Sequence, residues 1–505
     1  MELELNRTQL TGYDTVLDTT VFQEETLETI VPDACPDILR LMDTQGKILL
    51  KSKAATDGRV TLTGTARLAV LYLPEGGTGP CHLEVNIPFN VSVEGKGLKS
   101  GCLVTAVPWV AAADTRTVNP RKIVTRVEIA ACIQAFQAGG ASLCSGIRAV
   151  DGTVEQRWEE HRPYCVCAVQ EKPVSFEDDL TIPAGRPSAE EIVASRVHLT
   201  CNESKTIGSK LIFKGEAAIQ LLYRPAGGGL DAADFTLPFS QITELLGASE
   251  EGVCSVEPCL TGAEFALGAD GRTVSASLSV LAQAVVREER TVQVLADTYS
   301  TCCPVRAECV PYEHSTRYLE GIGRQTVRQI IETGMQIKTV VDARCAVGRT
   351  GQSREGDRLI LTGELLATAV CMTEEGEYCA VSRRMEVQCE VEAPEACDCH
   401  FACQCGDVIA TPTADGVEVR FPVDFPYLCL RGAQGMVVRD AVVEADGAED
   451  TTRRPSIILR ALGEHECLWD VAKRYRTTME DIIKANELES EQPCAGTLLL
   501  IPRKR

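Results

Sequence analysis

The chain has 505 residues, a length that predicts about three or four domains. Its apolar content of 44% is sufficient for packed cores, and its low aromatic content of 5%, beside abundant Val, Thr, Leu and Ala, favours β-structure. The net charge of −22 repels phosphate backbones, so no nucleic-acid partner is expected.

The first residues, MELELNRTQL, contain neither a basic stretch nor an apolar run, so no signal peptide is expected. We also expect no transmembrane segment, because no uninterrupted apolar run is long enough to span a bilayer. The protein is therefore predicted to start in the cytosol, where most of its 24 cysteines stay reduced and a disulfide framework is not expected.

A repeat organises most of the chain. Three segments each read as a short alternating strand, a glycine and a longer apolar strand: Arg59–Tyr72, Lys210–Tyr223 and Arg358–Met372. Their glycines, at positions 64, 215 and 363, lie 151 and 148 residues apart. A glycine inside a strand pattern predicts a bulge or a close approach of the backbone.

Each copy is predicted to be a sandwich-like or barrel-like β-domain, with boundaries at 1–150, 151–300 and 301–432, the third copy being the most diverged. Linkers are expected at Trp158–Pro173 and Arg287–Glu332. Short helices are expected near Pro36–Leu39 and Pro187–Ile192.

A cysteine-rich segment lies late in the third copy. It contains His400 and four thiols, at Cys397, Cys399, Cys403 and Cys405. The four thiols could bind zinc, but the spacing lacks the usual C-x-x-C knuckles. Latent cross-linking and plain packing of alternate residues are the other two interpretations.

No catalytic motif is recognisable. The six histidines form no zinc-protease pair, and Gly95–Ser100 lacks the ending of a phosphate-binding loop. The chain also has no G-x-S-x-G nucleophile motif. The sequence therefore predicts a protein that is not an enzyme and needs no cofactor.

The last fifty residues predict a strand–helix–helix–strand unit at 455–505, after a flexible linker at 433–454. Leu468, Val471, Ala472 and Tyr475 share one helical stripe, and Thr477 with Glu480 is interpreted as a capping box that starts the second helix.

This unit resembles the LysM module. The similarity lies at Gly463, Leu468–Trp469, Val471–Ala472, Tyr475, Thr478, Ile482–Ile483, Asn486 and Gly496–Pro502. Glu464–Cys467 replaces the usual Asp-Thr of the first loop and is longer. That loop forms one wall of the glycan groove in typical members, so sugar binding is left open.

Three such β-domains followed by a LysM module resemble the SipL-like group of spore-coat morphogenetic proteins, whose repeats are called SPOCS domains. The segment Val31–Ile38 and the strand Gly64–Tyr72 carry the resemblance. It implies a scaffold in the mother-cell cytoplasm, at the forespore surface. That scaffold would bind the coat ATPase SpoIVA through the LysM module and contact other coat proteins, and it could also self-associate.

The expected partner-binding residues lie on the two loops of the module and at the start of its first helix: Gly463, Glu464, His465, Leu468, Trp469, Asn486, Glu487 and Leu488. Their acidic character suits a basic protein partner. A peptidoglycan-binding cell-wall protein is the alternative, with glycan as its ligand. A small ligand bound by the β-domains is a third possibility.

Overall fold

The computed structural model describes residues 3–77, 79–149, 154–245, 247, 249–444 and 456–502. Strands make up most of this part of the chain, and the two helices found in it both begin after residue 467. The predicted fold class, mainly β with a small C-terminal unit, is confirmed. The predicted boundary between residues 150 and 151 lies outside the described residues.

The first copy consists of two packed antiparallel sheets. Its strands are β1 (Leu3–Ile30), β2 (Ile38–Thr56), β3 (Arg59–Pro74), β4 (Cys81–Glu94), β5 (Leu103–Asn119) and β6 (Lys122–Ala149). One sheet has the order β2-β3-β4, and the other has the order β1-β6-β5. Alternate residues of β3, such as Leu62 and Leu68, meet Ile129 and Ile133 of β6 in a common core.

The second copy has the same order but interrupted outer strands. Its strands are β7 (Val154–His161), β8 (Tyr164–Thr181), β9 (Ala189–Ile207), β10 (Lys210–Pro225), β11 (Asp231–Glu244), β12 (Val253–Leu267), β13 (Thr273–Glu289) and β14 (Val292–Ser300). Pro163 lies between β7 and β8, where its missing N–H cannot join a ladder. The sheets are β9-β10-β11 and β8-β13-β12, and β7 pairs with β14.

The third copy has a fragmented edge. Its strands are β15 (Val305–Glu332), β16 (Ile337–Glu355), β17 (Arg358–Thr373), β18 (Tyr378–Glu392), β19 (Cys397–Phe401), β20 (Gln404–Cys405), β21 (Ile409–Thr413) and β22 (Gly416–Val443). The short strands β19, β20 and β21 each pair with β22, in the place that β5 and β12 occupy in the other copies.

The repeated glycines lie where backbone and side chains approach closely. A Cβ on Gly64 would lie 2.4 Å from the Leu49 carbonyl oxygen and 2.6 Å from the Phe89 ring. A Cβ on Gly215 would lie 2.1 Å from the Thr200 oxygen. The ladder also shifts register beside Gly215. Both features agree with the predicted bulge or close approach.

The three copies surround a shared cavity of about 2620 Å³, which is lined by residues from all of them. The first two copies also share one six-stranded sheet, because β1 and β8 pair at Tyr13 and Val166. The equivalent strands β2, β9 and β16 face the centre of this arrangement. Contacts between these strands help to hold the copies together.

An equivalent arginine–aspartate ion pair joins two of the three junctions. Arg196 of β9 makes two 2.6 Å contacts with the Asp342 carboxylate of β16, and Arg344 of β16 contacts Asp43 of β2 at 2.6 and 2.7 Å. Positions 43, 194 and 342 are spaced like the repeated glycines, as are 45, 196 and 344. At the remaining junction the equivalent residues are Ala194 and Gln45, so this ion pair is missing.

Restoring the third ion pair is expected to give a non-additive result. Gln45→Arg alone places a second guanidinium beside Arg196, whose Nη1 now donates to the Gln45 Oε1 at 2.6 Å. Adding Ala194→Asp supplies the missing carboxylate. In a double-mutant cycle on the free energy of unfolding, we expect a favourable coupling of about 0.5–3 kcal/mol. Additive single effects would contradict the assigned equivalence.

A histidine links the first and third copies in a pH-dependent way. His400 of β19 contacts the Asp18 carboxylate of β1 at 2.9 Å. This hydrogen bond outweighs the effect of burial and raises the pKa of His400. The pair therefore stabilises the fold fully below the ordinary histidine pKa of about 6.5. Its contribution disappears as the pH rises through the raised pKa.

We expect His400→Gln to lower the free energy of unfolding below about pH 6 by at most about 1 kcal/mol, because the imidazole is partly exposed. The difference from the unmodified protein should vanish above about pH 8. Urea unfolding at both pH values tests this expectation. A difference that stays constant with pH would show that the ion pair is not its cause.

Beyond the cavity, three ribbons continue into what we call the stem: residues 3–13 with 138–149, β7 with β14, and residues 305–315 with 432–443. The ribbons begin at residues 3, 154 and 305, at equal spacing. Their apolar faces form a separate core that includes Ile147, Leu295 and Val438.

The stem corrects several predictions. The expected linkers Trp158–Pro173 and Arg287–Glu332 are mostly strand, because they supply β7, β8, β14 and β15. Residues 433–443 of the expected 433–454 linker belong to β22, and residues 445–454 lie outside the described residues. The helices expected near Pro36–Leu39 and Pro187–Ile192 are also wrong, since β2 and β9 begin there.

The C-terminal module, residues 456–502, has the predicted order of elements: β23 (Ile457–Ala461), α1 (Leu468–Tyr475), α2 (Met479–Asn486) and β24 (Leu498–Pro502). The strands pair with each other, and Leu468, Val471 and Ile482 lie in the core beneath the helices. The predicted cap is displaced by one residue. Thr478 caps α2 by accepting the Asp481 N–H, whereas Thr477 is buried.

Candidate binding site at the C-terminal module

The C-terminal module is docked on the stem of the second copy through Asp297 of β14. The Trp469 indole N–H donates to the Asp297 carboxylate at 2.8 Å. The Lys473 ammonium contacts both oxygens of the same carboxylate at 2.7 and 2.8 Å. Asp297 is only 8% exposed. One buried acid of the second copy thus holds two side chains of α1.

Tyr299 completes this docking contact. Its hydroxyl donates to the Thr477 carbonyl at 2.8 Å, and its ring meets Trp469 edge-on with 4.9 Å between centroids. Burial, together with the nearby Glu155 and Asp297 carboxylates, raises the pKa of Tyr299, so the phenol remains a neutral donor. The Arg157 guanidinium covers the Trp469 ring at 5.8 Å.

The docking contact excludes two of the predicted partner-binding residues from external contact. Leu468 is 1% exposed and Trp469 is 6% exposed. Both belong to the core that the module shares with Tyr299. The apolar start of α1 therefore packs within the protein, and the sequence interpretation of these two residues as a partner surface is corrected.

Asn486 also has an internal role. Its amide nitrogen donates to the Ile482 and Leu500 carbonyls at 2.8 and 2.7 Å, and its oxygen accepts the Leu500 N–H at 2.7 Å. These bonds fix the end of α2 against β24. Asn486 thus shapes the following loop but uses its side-chain hydrogen bonds inside the module.

The other predicted residues lie on two loops that meet. The first loop, residues 462–467, is joined to the second loop, residues 487–497, where the Gly496 N–H donates to the Leu462 carbonyl at 2.8 Å. Both loops are largely exposed and rich in acid. The exposed predicted residues are Gly463, Glu464, His465 and Glu487, whereas Leu488 is half-buried against the module core.

The first loop is held in shape by its own side chains. The Glu466 carboxylate contacts Arg460 at 2.9 Å and accepts the Gly463 N–H at 3.3 Å. Cys467 caps α1, and its N–H and thiol both lie 3.0 Å from the Asp470 carboxylate. Burial opposes ionisation of Asp470, but these hydrogen bonds outweigh it and lower its pKa. The loop therefore presents Glu464 and His465 on an ordered backbone.

The predicted zinc site is not formed. Within the described residues, no group of three or more metal-binding side chains lies close enough together to hold a metal ion. Cys397 and Cys399 of β19 are buried in the core of the third copy. Cys403 and Cys405 lie beyond the end of that strand, where they pack against the same core and line the shared cavity. The break after Phe401 separates the pair Cys397 and Cys399 from the pair Cys403 and Cys405 along the chain.

The sequence interpretation missed Asp297, Tyr299 and Arg157, because it treated their surroundings as linkers. One signal was available. Val292–Leu295 is an apolar-rich run typical of a strand, and if that strand continues, Asp297 and Tyr299, two residues apart, fall on the same face. Asp297 and Tyr299 contact residues that lie 170 to 178 positions further along the chain, and such contacts could not be read from a local pattern.

Comparison with known families agrees with these observations. Residues 37–117 and 188–267 match the model of the SipL, SPOCS domain family, and residues 465–502 match the LysM domain model. The two SPOCS segments lie in the first and second copies. No curated protein and no solved structure gave a match. SPOCS and LysM domains are not enzymatic families.

These matches fit a coat-associated role in sporulation, with binding of peptidoglycan or protein. The LysM match itself suggests binding of glycan. In the described part of the chain, no helix has the length and apolarity needed to cross a membrane.

Proposed function

The chain has a SipL-like architecture of SPOCS domains followed by a LysM domain, and from it we propose a non-catalytic scaffold of spore-coat assembly. In this proposal the protein acts in the mother-cell cytoplasm at the forespore surface. Its LysM domain binds a SpoIVA-like coat ATPase, while the three β-domains contact further coat proteins. The observation that carries the proposal is the pair of acidic loops, which the docked module presents outward.

The charge of these loops favours a basic protein surface. Glu464, Glu487, Glu489 and Glu491 are exposed on the two loops, and the basic Arg460 nearby is already paired with Glu466. Acidic residues at the rim of an interface accelerate association with a basic partner and contribute to specificity. A neutral glycan gains nothing from them.

Reversing two of these charges tests the proposed partner. We expect Glu464→Lys/Glu487→Lys to slow association with a SpoIVA-like ATPase on the order of tenfold at low salt. The matched control is Glu375→Lys/Glu395→Lys, which makes the same change in net charge at exposed residues of the third copy. Surface plasmon resonance with the full-length proteins measures both rates.

Equal association rates for the two charge-reversed variants would contradict the assigned surface. Point substitutions are preferable to removal of the whole module. Deleting residues 456–505 would also uncover Asp297 and Tyr299, which the module buries. A truncated protein could then lose partners through the stem rather than through the module.

The LysM match supports peptidoglycan binding as the alternative function. For this alternative we expect sedimentation with insoluble peptidoglycan that resists high salt, because contacts with neutral sugars are little screened. The loop variants with reversed charges should then sediment like the unmodified protein. Sedimentation that disappears with salt would instead indicate attraction to charged groups of the wall.

A further inference from the structure

The cysteine-rich segment has a structural setting that neither the repeat nor the LysM domain explains. In the first two copies the edge strand next to the long central strand is continuous, with 17 residues in β5 and 15 in β12. In the third copy the corresponding segment is broken into β19, β20 and β21, of 5, 2 and 5 residues. Fewer ladder bonds therefore hold this edge.

Two thiols face each other where β19, the first of these short strands, pairs with β22. Cys399 of β19 is directly opposite Cys429 of β22 in the antiparallel register. Their sulfur atoms lie 2.9 Å apart. Directly opposed residues of antiparallel strands have Cα atoms about 4.5–5.5 Å apart, which lies within the span of about 4.4–6.8 Å that a disulfide bridges.

Their surroundings favour one particular pairing. Cys399 is 9% exposed and Cys429 is fully buried, and both belong to the core of the third copy. Cys397 is opposite Arg431, two positions further along the ladder. The thiol of Cys429 therefore has Cys399 as its direct partner.

We propose that Cys399 and Cys429 are a modification site, at which a low-molecular-weight disulfide oxidises the two thiols to a bond that joins β19 to β22. One protein thiolate attacks a sulfur of the small disulfide. The protein sulfur and the attacked sulfur then form a mixed disulfide, and the other half of the small disulfide leaves as a thiol. The second protein thiolate then attacks the protein sulfur and releases a second thiol. The protein loses two electrons and two protons, and the small disulfide gains both.

The buried position makes this reaction slow and conditional. Burial and the hydrogen bond with Cys429 raise the pKa of Cys399, which lowers the fraction of reactive thiolate. Oxidation therefore requires β19 to open, and a strand of five residues opens more readily than β5 or β12 would. In a reducing cytosol the thiols persist, and exposure to an oxidising environment converts them.

The new bond would close a loop of about thirty residues that contains β20, β21 and the start of β22. Cross-links of this kind typically stabilise by restricting the unfolded chain. We expect amide hydrogen exchange in residues 397–401 to slow about tenfold or more after oxidation.

The experiment uses the full-length reduced protein and 2-hydroxyethyl disulfide at pH 8. After the reaction, free thiols are alkylated, and the non-reduced protein is digested for mass spectrometry. Cleavage before Asp398 and after Phe401 leaves Cys399 as the sole cysteine of its fragment. Trypsin leaves Cys429 alone between Arg420 and Arg431. We expect these two fragments to be joined, with two hydrogen atoms fewer than the separate peptides.

The control is Cys259→Ser, which removes a buried cysteine of the first core, and its cross-link should form as in the unmodified protein. Cys399→Ser and Cys429→Ser should each abolish both the cross-link and the slower exchange. If oxidation leaves both thiols open to alkylation, or joins either one mainly to another cysteine, the proposal is wrong. Mapping of the unmodified chain decides this even if a serine variant fails to fold.

Discussion

Replacing Asp297 with alanine is expected to separate the LysM domain from the stem. The substitution removes the acceptor of the buried Trp469 indole N–H and the counter-ion of Lys473. A buried donor left without a partner costs about 1–3 kcal/mol. The Lys473 side chain is 40% exposed, so solvent compensates most of its loss. We therefore expect the undocked population to rise about 5- to 150-fold.

Hydrogen exchange of α1 and β14 measures this separation, since both should lose protection together while β3 and β10 keep theirs. Asp297→Asn should have a smaller effect, because its amide oxygen still accepts from the indole. Lys473→Met and Lys484→Met form a matched pair, each in the last turn of a short helix. Only Lys473→Met should weaken docking. Equal protection of α1 in all four variants would contradict the assigned contact.

Asp342→Ala is expected to be the most destabilising single change at the junctions between copies. The Asp342 side chain is 1% exposed, and its loss leaves the largely buried Arg196 guanidinium without a counter-ion. Removing one partner of a buried ion pair typically costs about 3–5 kcal/mol. Because Arg196 joins the second copy to the third, the effect should include weaker association of the copies.

The chain contains a matched control on its surface. Arg328 and Glu418 form an equally bidentate pair with two 2.9 Å contacts, but the arginine side chain is 73% exposed. Glu418→Ala should therefore lower the free energy of unfolding much less than Asp342→Ala does, because solvent screens this pair. Denaturant unfolding, followed separately by peptides of each copy in hydrogen exchange, compares the two variants. Similar losses for both would show that burial does not strengthen the junction.

The repeat and its strands could be predicted because they leave local patterns. The alternation along β3, β10 and β17 and the equal spacing of Gly64, Gly215 and Gly363 are visible in the sequence alone. The βααβ order of the C-terminal unit follows from helical spacing and short apolar runs. These features are set by residues close together in the sequence, so the local spacing of apolar residues predicts them well.

The stem was missed because its strands are less apolar than those of the cores. Residues 154–161 read VEQRWEEH, a polar sequence that is typical of a linker. They form a strand because β14 supplies the partner and Leu295 the buried face. The docking of Trp469 on Asp297 is likewise non-local. The LysM pattern therefore could not indicate that another part of the chain covers this aromatic residue.

The four clustered cysteines show the same limit. Spacing alone suggests a metal site as readily as a packed strand, because both place thiols close together in sequence. The deciding facts are that Cys399 meets Cys429, thirty residues away, and that the chain breaks after Phe401. Both facts belong to the tertiary structure.

Because the module docks on the second copy, the molecule lacks the symmetry that three equivalent copies would have. Tyr299 holds the module, but the corresponding places near the ends of the other two ribbons are filled by Arg148 and Val442, which offer neither its hydroxyl nor its ring. Each polypeptide therefore carries one C-terminal module, with its two acidic loops, for every three β-domains. The ratio of one module to three β-domains is therefore fixed by the covalent chain and does not depend on the mixing of separate components.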